Sequence, residues 1–229
     1  MLQILPMSDA AMYAKVRAGR RKGYAQLITN RGQFALQLHC DIAPFACDNF
    51  LRLADQGRFD KTVFHRLVPN LMMQGGADGP SIFGGSFRDE FDSRLRHDGP
   101  GILSMANSGA TDDNKAQFFI TFTKAAHLDN KHTIFGKIVG GLNEFLRLNI
   151  TPTDPSDRPI EPITIERVLV VEDPFRALLA AEEAAETQAR TDRENSVFIK
   201  AARSDPMASH PNRLSMKIGK YIDWTAVGV

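Results

Sequence analysis

Val63-Phe-His-Arg-Leu-Val-Pro-Asn-Leu-Met-Met-Gln-Gly-Gly76 sets one fixed cation, Arg66, among apolar residues and eight positions ahead of an amide, Gln74. Taken alone, an arginine in such a run reads as an outward solvated residue or half of an ion pair, and Gln74 as a strand-end amide satisfying nearby backbone. The runs Thr62–Leu67 and Leu71–Gln74 are strand candidates, and more flank them. Tyr24–Thr29 and Gln33–His39 enclose Asn30-Arg31-Gly32, a turn with glycine where positive φ is needed. In the second of these runs Phe34, Leu36 and Leu38 alternate with Gln33, Gln37 and His39, the period of a half-buried strand. Ile102–Ala106, Phe118–Phe122, Ile134–Val139 and Ile163–Val171 bring the strand count to eight between Gly23 and Glu172.

Two helices interrupt this pattern. Pro44 fits a first helical turn, Phe50, Leu51 and Leu53 supply apolar positions, and Gly57 stops the helix after Gln56. A shorter helix is expected over Leu142–Leu148, ending before Thr151-Pro152. Short strands punctuated by turns predict a mainly β domain, either a sandwich or a closed barrel, and periodicity does not choose between them. Outside the domain, residues 1–22 read as a solvated basic arm carrying Arg17, Arg20, Arg21 and Lys22. Residues 174–204 are rich in Ala, Glu, Arg and Gln and predict a helical extension, anchored at its start by Phe175, Leu178 and Leu179. The remainder, 205–229, with Pro206, Pro211 and the lone Trp224, reads as a flexible tail.

Composition narrows the function classes. The chain has 229 residues, 43% hydrophobic and 24% charged, with a net charge of +1, so no strong field draws it to nucleic acid or membrane. Direct nucleic-acid binding is not expected, and no apolar run approaches a membrane span. Two cysteines, Cys40 and Cys47, read as reduced thiols near the core, which places the chain in cytoplasm or nucleus; no metal-ligand spacing is present. Asn149-Ile-Thr151 matches a glycosylation sequon without a secretory signal ahead of it, and Gly75–Gly85 lacks the Gly-Lys-Ser/Thr ending of a phosphate loop. A hydrolase would need more than Ser104 and His132, since no Gly-x-Ser-x-Gly elbow appears.

Read with Met105-Ala-Asn107, Gln117-Phe-Phe119 and Leu128-Asp-Asn-Lys-His132, the opening stretch resembles the cyclophilin family of peptidyl-prolyl isomerases in order and approximate spacing, over Lys22–Asp173. The resemblance implies a closed eight-stranded antiparallel barrel capped by two helices. It implies catalysis at Arg66, which follows Phe64-His65, with Gln74 hydrogen-bonding substrate backbone and steadying the arginine. Met72, Phe119 and Leu128, with Leu71 beside them, match the proline pocket. Asn107 matches the residue whose backbone pairs with substrate, with Ala106 and Ser108 lining the adjacent surface, and His132 matches a histidine at the pocket wall. His65 reads as structural. No cofactor is implied: the reaction needs a donor aimed at the prolyl nitrogen, which gains a lone pair as the amide twists out of resonance. Arginine suits this, being always charged and offering several donors in a rigid fork.

Four departures from the common pattern stand out. His127 replaces the tryptophan that contributes to cyclosporin binding, so drug sensitivity is not implied. Leu71 replaces phenylalanine. Ala77–Gly85 is shorter than its usual counterpart, and Ala110–Ala116 carries an extra residue; both border the groove. Within the family, Lys22-Gly23-Tyr24, Leu38-His39-Cys40-Asp41 and Ile218–Ile222 look closest to the nuclear, spliceosome-associated members that carry a U-box. The arm of 1–22 is too short for a U-box, so ubiquitin-ligase activity is not expected. Proline-containing peptides or proteins are the expected partners, with spliceosomal proteins the subfamily's suggestion. The rival expectation is a proline-segment binding module or scaffold in a nuclear ribonucleoprotein complex.

Overall fold

The computed structural model describes residues 9–204 and divides the chain into two units at Leu179/Ala180. The first unit is built on eight antiparallel strands: β1 (Gly23–Thr29), β2 (Gly32–Leu38), β3 (Arg66–Val68), β4 (Met72–Gly76), β5 (Ile102–Met105), β6 (Gln117–Thr121), β7 (Ile134–Gly140) and β8 (Ile165–Glu172). They form one sheet in the order β3-β4-β6-β5-β7-β2-β1-β8. All eight expected strands are present, but β3 is shorter than the run Thr62–Leu67 suggested. Its first half turns instead to the opposite edge of the sheet. Phe64 donates to the Ile163 carbonyl (2.9 Å), Lys61 to that of Ile165 (2.8 Å), and Ile165 to that of Thr62 (2.8 Å), around a bridge between Val63 and Thr164. The curled sheet is thereby seamed along the edge that would otherwise stay open.

Strand alternation divides the residues between two faces. Leu67, Met73, Ile120 and Leu103 lie in one cross-strand row and all point into the core. Phe50, Phe59, Phe64, Phe118 and Phe135 fill the interior around them. Gly75 is required here, because a Cβ at that position would meet the Phe64 ring at 2.7 Å. Helix α2 (Pro44–Asp55) buries Ala46, Cys47, Phe50, Leu51, Leu53 and Ala54 against the sheet; Pro44 sits in its first turn, and Gly57, at φ +66°, follows its end. Helix α3 (Leu142–Arg147) buries Phe145, which meets Phe34 and Phe122.

From Asp9 onward, where the structure describes it, the solvated N-terminal arm is corrected. Asp9–Ala18 form a helix, α1, whose Met12, Tyr13 and Val16 are buried. The Tyr13 ring packs on Phe45 and Phe175, and its hydroxyl donates to Asp48 Oδ2 at 2.7 Å. Arg17 pairs with Glu90. Three apolar contacts and one buried hydrogen bond dock a segment whose charge had suggested solvent.

The C-terminal helix α4 (Pro174–Ser204) begins where expected. Asp173 Oδ1 accepts from the backbone of Phe175 and Arg176 at 2.9 and 3.1 Å, a side-chain cap. Phe175 is buried and Leu178 packs on the core, so this first stretch belongs to the strand-built unit and the boundary lies beyond the expected Asp173. In the second unit, residues 180–196 are almost wholly exposed, with polar pairs such as Gln188–Asp192 and Arg190–Glu194 along the helix. The expected tail, 205–229, falls outside what the structure describes.

Candidate active site

One cross-strand row carries the site. Arg66 on β3 pairs with Gln74 on β4, Gln74 with Phe119 on β6, and Phe119 with Ser104 on β5. These residues face away from the core row, on the outer side of the sheet. Met72, two residues from Gln74, shares that face. Met72 and Phe119 are 6% and 3% exposed, yet neither joins the core cluster. Met72 and Phe119 are thus set apart from Met73 and Phe118, their chain neighbours that point into the interior.

Phe119 is held from two sides. His132 meets its ring edge-on at 5.2 Å, and His97 lies parallel to it at 5.9 Å. His97 and Ser104 are fully buried. His97 Nδ1 and its backbone N both lie 2.8 Å from Asp129 Oδ1, and Nε2 lies 2.8 Å from Ser104 Oγ. Burial lowers the His97 pKa, so the neutral ring donates from Nδ1 to the carboxylate and accepts the serine hydroxyl at Nε2. Asp129 stays below its ordinary pKa: burial pushes it up, and the two His97 hydrogen bonds outweigh that push. The Asp–His–Ser order is that of a nucleophilic relay, but its serine and histidine are sealed beneath Phe119, where no acyl group can reach them. Its role is to fix the Leu128-Asp129 turn and the phenyl ring. Sequence reasoning missed His97, because nothing within its segment marks it; Ser104 had been weighed only with His132.

His132 Nδ1 donates to the Met105 carbonyl at 3.0 Å, and burial lowers its pKa, leaving Nε2 an acceptor. Its backbone N donates to the Leu128 carbonyl (3.2 Å), which ties it to the half-buried Leu128. His127 is exposed in the 3-10 turn Ala126–Leu128. Leu71, half-buried, accepts at its carbonyl from the Phe122 backbone at 2.9 Å.

Beside Gln74 lies a depression of about 320 Å³ lined by Ala106, Asn107, Ser108, Asp113, Lys115 and Gln117, among others. The Asn107 side chain is anchored, donating to the Lys131 carbonyl (2.9 Å) and accepting from Gly109 N (3.1 Å), which holds its backbone in place along the groove. Ser108 Oγ donates to Asp113 Oδ2 at 2.7 Å, and Lys115 pairs with Asp113 at 2.9 Å. These bonds, with that from Ser108 first, hold the Asp113 carboxyl at about 2.

The pairing expected between Gln74 and Arg66 is corrected. Gln74 Nε2 donates to Gln117 Oε1 (3.0 Å), and Gln117 Nε2 donates to Asp78 Oδ1 (3.0 Å), a chain running away from the arginine. Arg66 instead donates from Nε and Nη2 to Asp157 Oδ2, 3.3 Å each, with the two side chains 49% and 41% exposed. Asp157 stands 91 residues along the chain, in a polar loop that no local pattern connects with Arg66. The Nη1 donors take no part in this pair and the side chain is half exposed, so charged donors remain that need no proton transfer to act.

Comparison with known proteins agrees with this geometry. Residues 24–170 match the family described as cyclophilin type peptidyl-prolyl cis-trans isomerase/CLD. A peptidyl-prolyl cis-trans isomerase of Arabidopsis thaliana is 44% identical over 165 residues, covering 69% of this chain and 28% of its own length. The chain thus spans under a third of that relative. The Schizosaccharomyces pombe peptidyl-prolyl cis-trans isomerase ppi1 is 44% identical over 152 residues, 64% of this chain and 97% of its own. Among solved structures, a cyclophilin type isomerase of Cryptosporidium parvum superposes with a TM-score of 0.65 at 35% identity, covering 67% of this chain and all of that one. The same Cryptosporidium protein crystallised in the presence of the dipeptide Ala-Pro gives a TM-score of 0.63 at 36% identity, covering 66% and 99%. By fold, by the row of residues on its outer face and by family match, this chain belongs to the cyclophilin type peptidyl-prolyl cis-trans isomerases.

Proposed function

We propose that this chain catalyses cis/trans isomerisation of X-Pro bonds in peptides and proteins. The observation that carries the reading is the cross-strand row Arg66–Gln74–Phe119, which sets a half-exposed guanidinium and a buried aromatic ring on one face of the sheet with an amide between them. The pyrrolidine ring rests on Met72, Phe119, Leu128 and His132. Gln74 and the Asn107 backbone hold the substrate main chain, and Ala106 and Ser108 border the residues ahead of the proline. Arg66 donates toward the prolyl nitrogen as the amide twists, an interaction absent from either planar isomer, so it lowers the barrier and not merely the ground state. The Ala-Pro dipeptide present with the Cryptosporidium relative supports a short X-Pro ligand as probe.

Exchange of an Ala-Pro peptide between its isomers, read by two-dimensional NMR, tests the reading. The wild-type chain produces cis–trans cross-peaks on a timescale where free peptide, exchanging over tens to hundreds of seconds, shows none. Arg66→Ala lowers the catalysed rate by about a hundredfold, the scale on which removing one transition-state donor acts. Its stability changes by less than about 1 kcal/mol, since the lost ion pair is exposed. Equal exchange in wild type and variant refutes the assignment.

A second reading, a module that docks partners, is favoured by the exposed run 180–196, a helix with little buried surface of its own. Spliceosomal partners and a nuclear location belong to this reading. Truncation after Leu179, which spares the buried Phe175, separates the two: isomerase activity survives, and complex formation is lost only if the extension docks.

A further inference from the structure

We propose that Asp157 is a positioning residue for Arg66, holding one edge of the guanidinium so that the other edge faces the substrate. This role presupposes the isomerase activity proposed above. The contact is built from the backbone outward. Asp154 Oδ1 accepts from the backbone N of Ser156 (2.8 Å) and Arg158 (2.9 Å), and its own N donates to the Arg158 carbonyl (2.8 Å). Asp157 donates to the Asp154 carbonyl (3.1 Å) and stands at φ +62°, a conformation that few residues besides Gly, Asn and Asp adopt readily. Its carbonyl then accepts from Leu67 N at 2.7 Å, one residue from Arg66. The loop is therefore stitched to β3 by main chain, and the carboxylate arrives beside Arg66 already oriented.

Both contacts use the Nε–Nη2 edge of the guanidinium and one oxygen, Oδ2. The Nη1 donors lie outside the pair. An unrestrained arginine spreads over many rotamers, and a donor that must meet a twisted prolyl nitrogen gains from losing that freedom before substrate arrives. Gln74, the residue first expected to steady Arg66, is engaged with Gln117. Asp157 touches no substrate in this arrangement, so its effect falls on turnover and not on affinity.

The test is Asp157→Asn, which keeps the positive φ and the loop while removing the charge, with Asp157→Gly as a second variant that keeps the φ and removes the side chain altogether. NMR exchange of an Ala-Pro peptide over a range of concentrations gives kcat and KM for both variants, wild type and Arg66→Ala. Both Asp157 variants lower kcat about fivefold, the rate equivalent of an exposed ion pair, and change KM less than about twofold. Raising the salt to about 0.5 M moves wild-type kcat toward that of Asp157→Asn and leaves the variant where it was, because screening acts only on the charged pair. Unchanged or raised kcat in the Asp157 variants, with wild type active and Arg66→Ala about a hundredfold slower, overturns the positioning role and leaves the isomerase reading standing. A change in KM alone overturns it as well. An inactive wild type removes both.

Discussion

Glu90 is buried where α1 meets the start of α2, and its substitution by glutamine makes a quantitative pH prediction. Its side chain is 4% exposed. One oxygen accepts from the Ala46 backbone at 3.0 Å and the other from Arg17 at 3.2 Å. Burial outweighs these partners and raises its pKa from 4.5 to about 7. A raised acid binds its proton more tightly in the folded chain than in the unfolded one. Stability from this group is therefore complete below about pH 4.5, falls as pH rises, and levels off above about pH 7. The difference in proton affinity corresponds to roughly 3 kcal/mol, with Arg17 and Ala46 already counted in it. Glu90→Gln keeps an acceptor for Ala46 and cannot ionise. Urea unfolding at pH 8 is expected to find the variant more stable by roughly 3 kcal/mol, and at pH 4.5 to find the two within about 0.5 kcal/mol. A variant that is less stable than wild type at pH 8, or offset by the same amount at both pH values, refutes the reasoning; the ionised carboxylate would then be a net anchor for α1.

Two further predictions use neighbouring residues as internal controls. Phe118→Ala, which empties a core position, costs about 3–5 kcal/mol in urea unfolding and spares the groove, whereas Phe119→Ala costs less than that range and sharply weakens Ala-Pro exchange, because the proposed proline site rests on its ring. Gly75→Ala sets a methyl 2.7 Å from the Phe64 ring and 3.2 Å from its Cα, and lowers stability by about 1–3 kcal/mol by denaturant melt, while Gly85→Ala, with nothing within 4 Å, leaves the melt within about 0.5 kcal/mol of wild type.

The strands were legible in the sequence wherever one face is core and the other polar, as in β2, where Phe34, Leu36 and Leu38 are all buried. Alternation says which residues share a face but not which strand lies alongside, so the seam through Val63 and Thr164 and the shortening of β3 were invisible. Helix α1 was missed because three buried side chains in a charged segment leave a weak period, and the contact that fixes it, Tyr13 to Asp48, joins residues 35 apart. Arg66, Met72 and Phe119 entered the candidate site through family likeness; their residue types alone pointed to solvent or core. Asp157, His97 and Asp129 bond to partners distant in sequence, and neither loop composition nor spacing reveals such pairs. Gln74 was placed correctly in space, and its hydrogen bond was assigned to the wrong neighbour.

The seam joining residues 61–64 to 163–165 also sets an order of events. The strand entering Arg66 is made before the edge it must meet; that edge, and the loop bearing Asp157, emerge on the order of a hundred residues later. Bringing such distant segments together carries a large loop-closure entropy, so this junction forms after the local hairpins that flank it. A chain halted before Thr164 can assemble the β1–β2 hairpin and the β4–β6 pairing, yet it leaves β3 without its far neighbour. Closure of this edge therefore waits until the chain through Ile165 has been made.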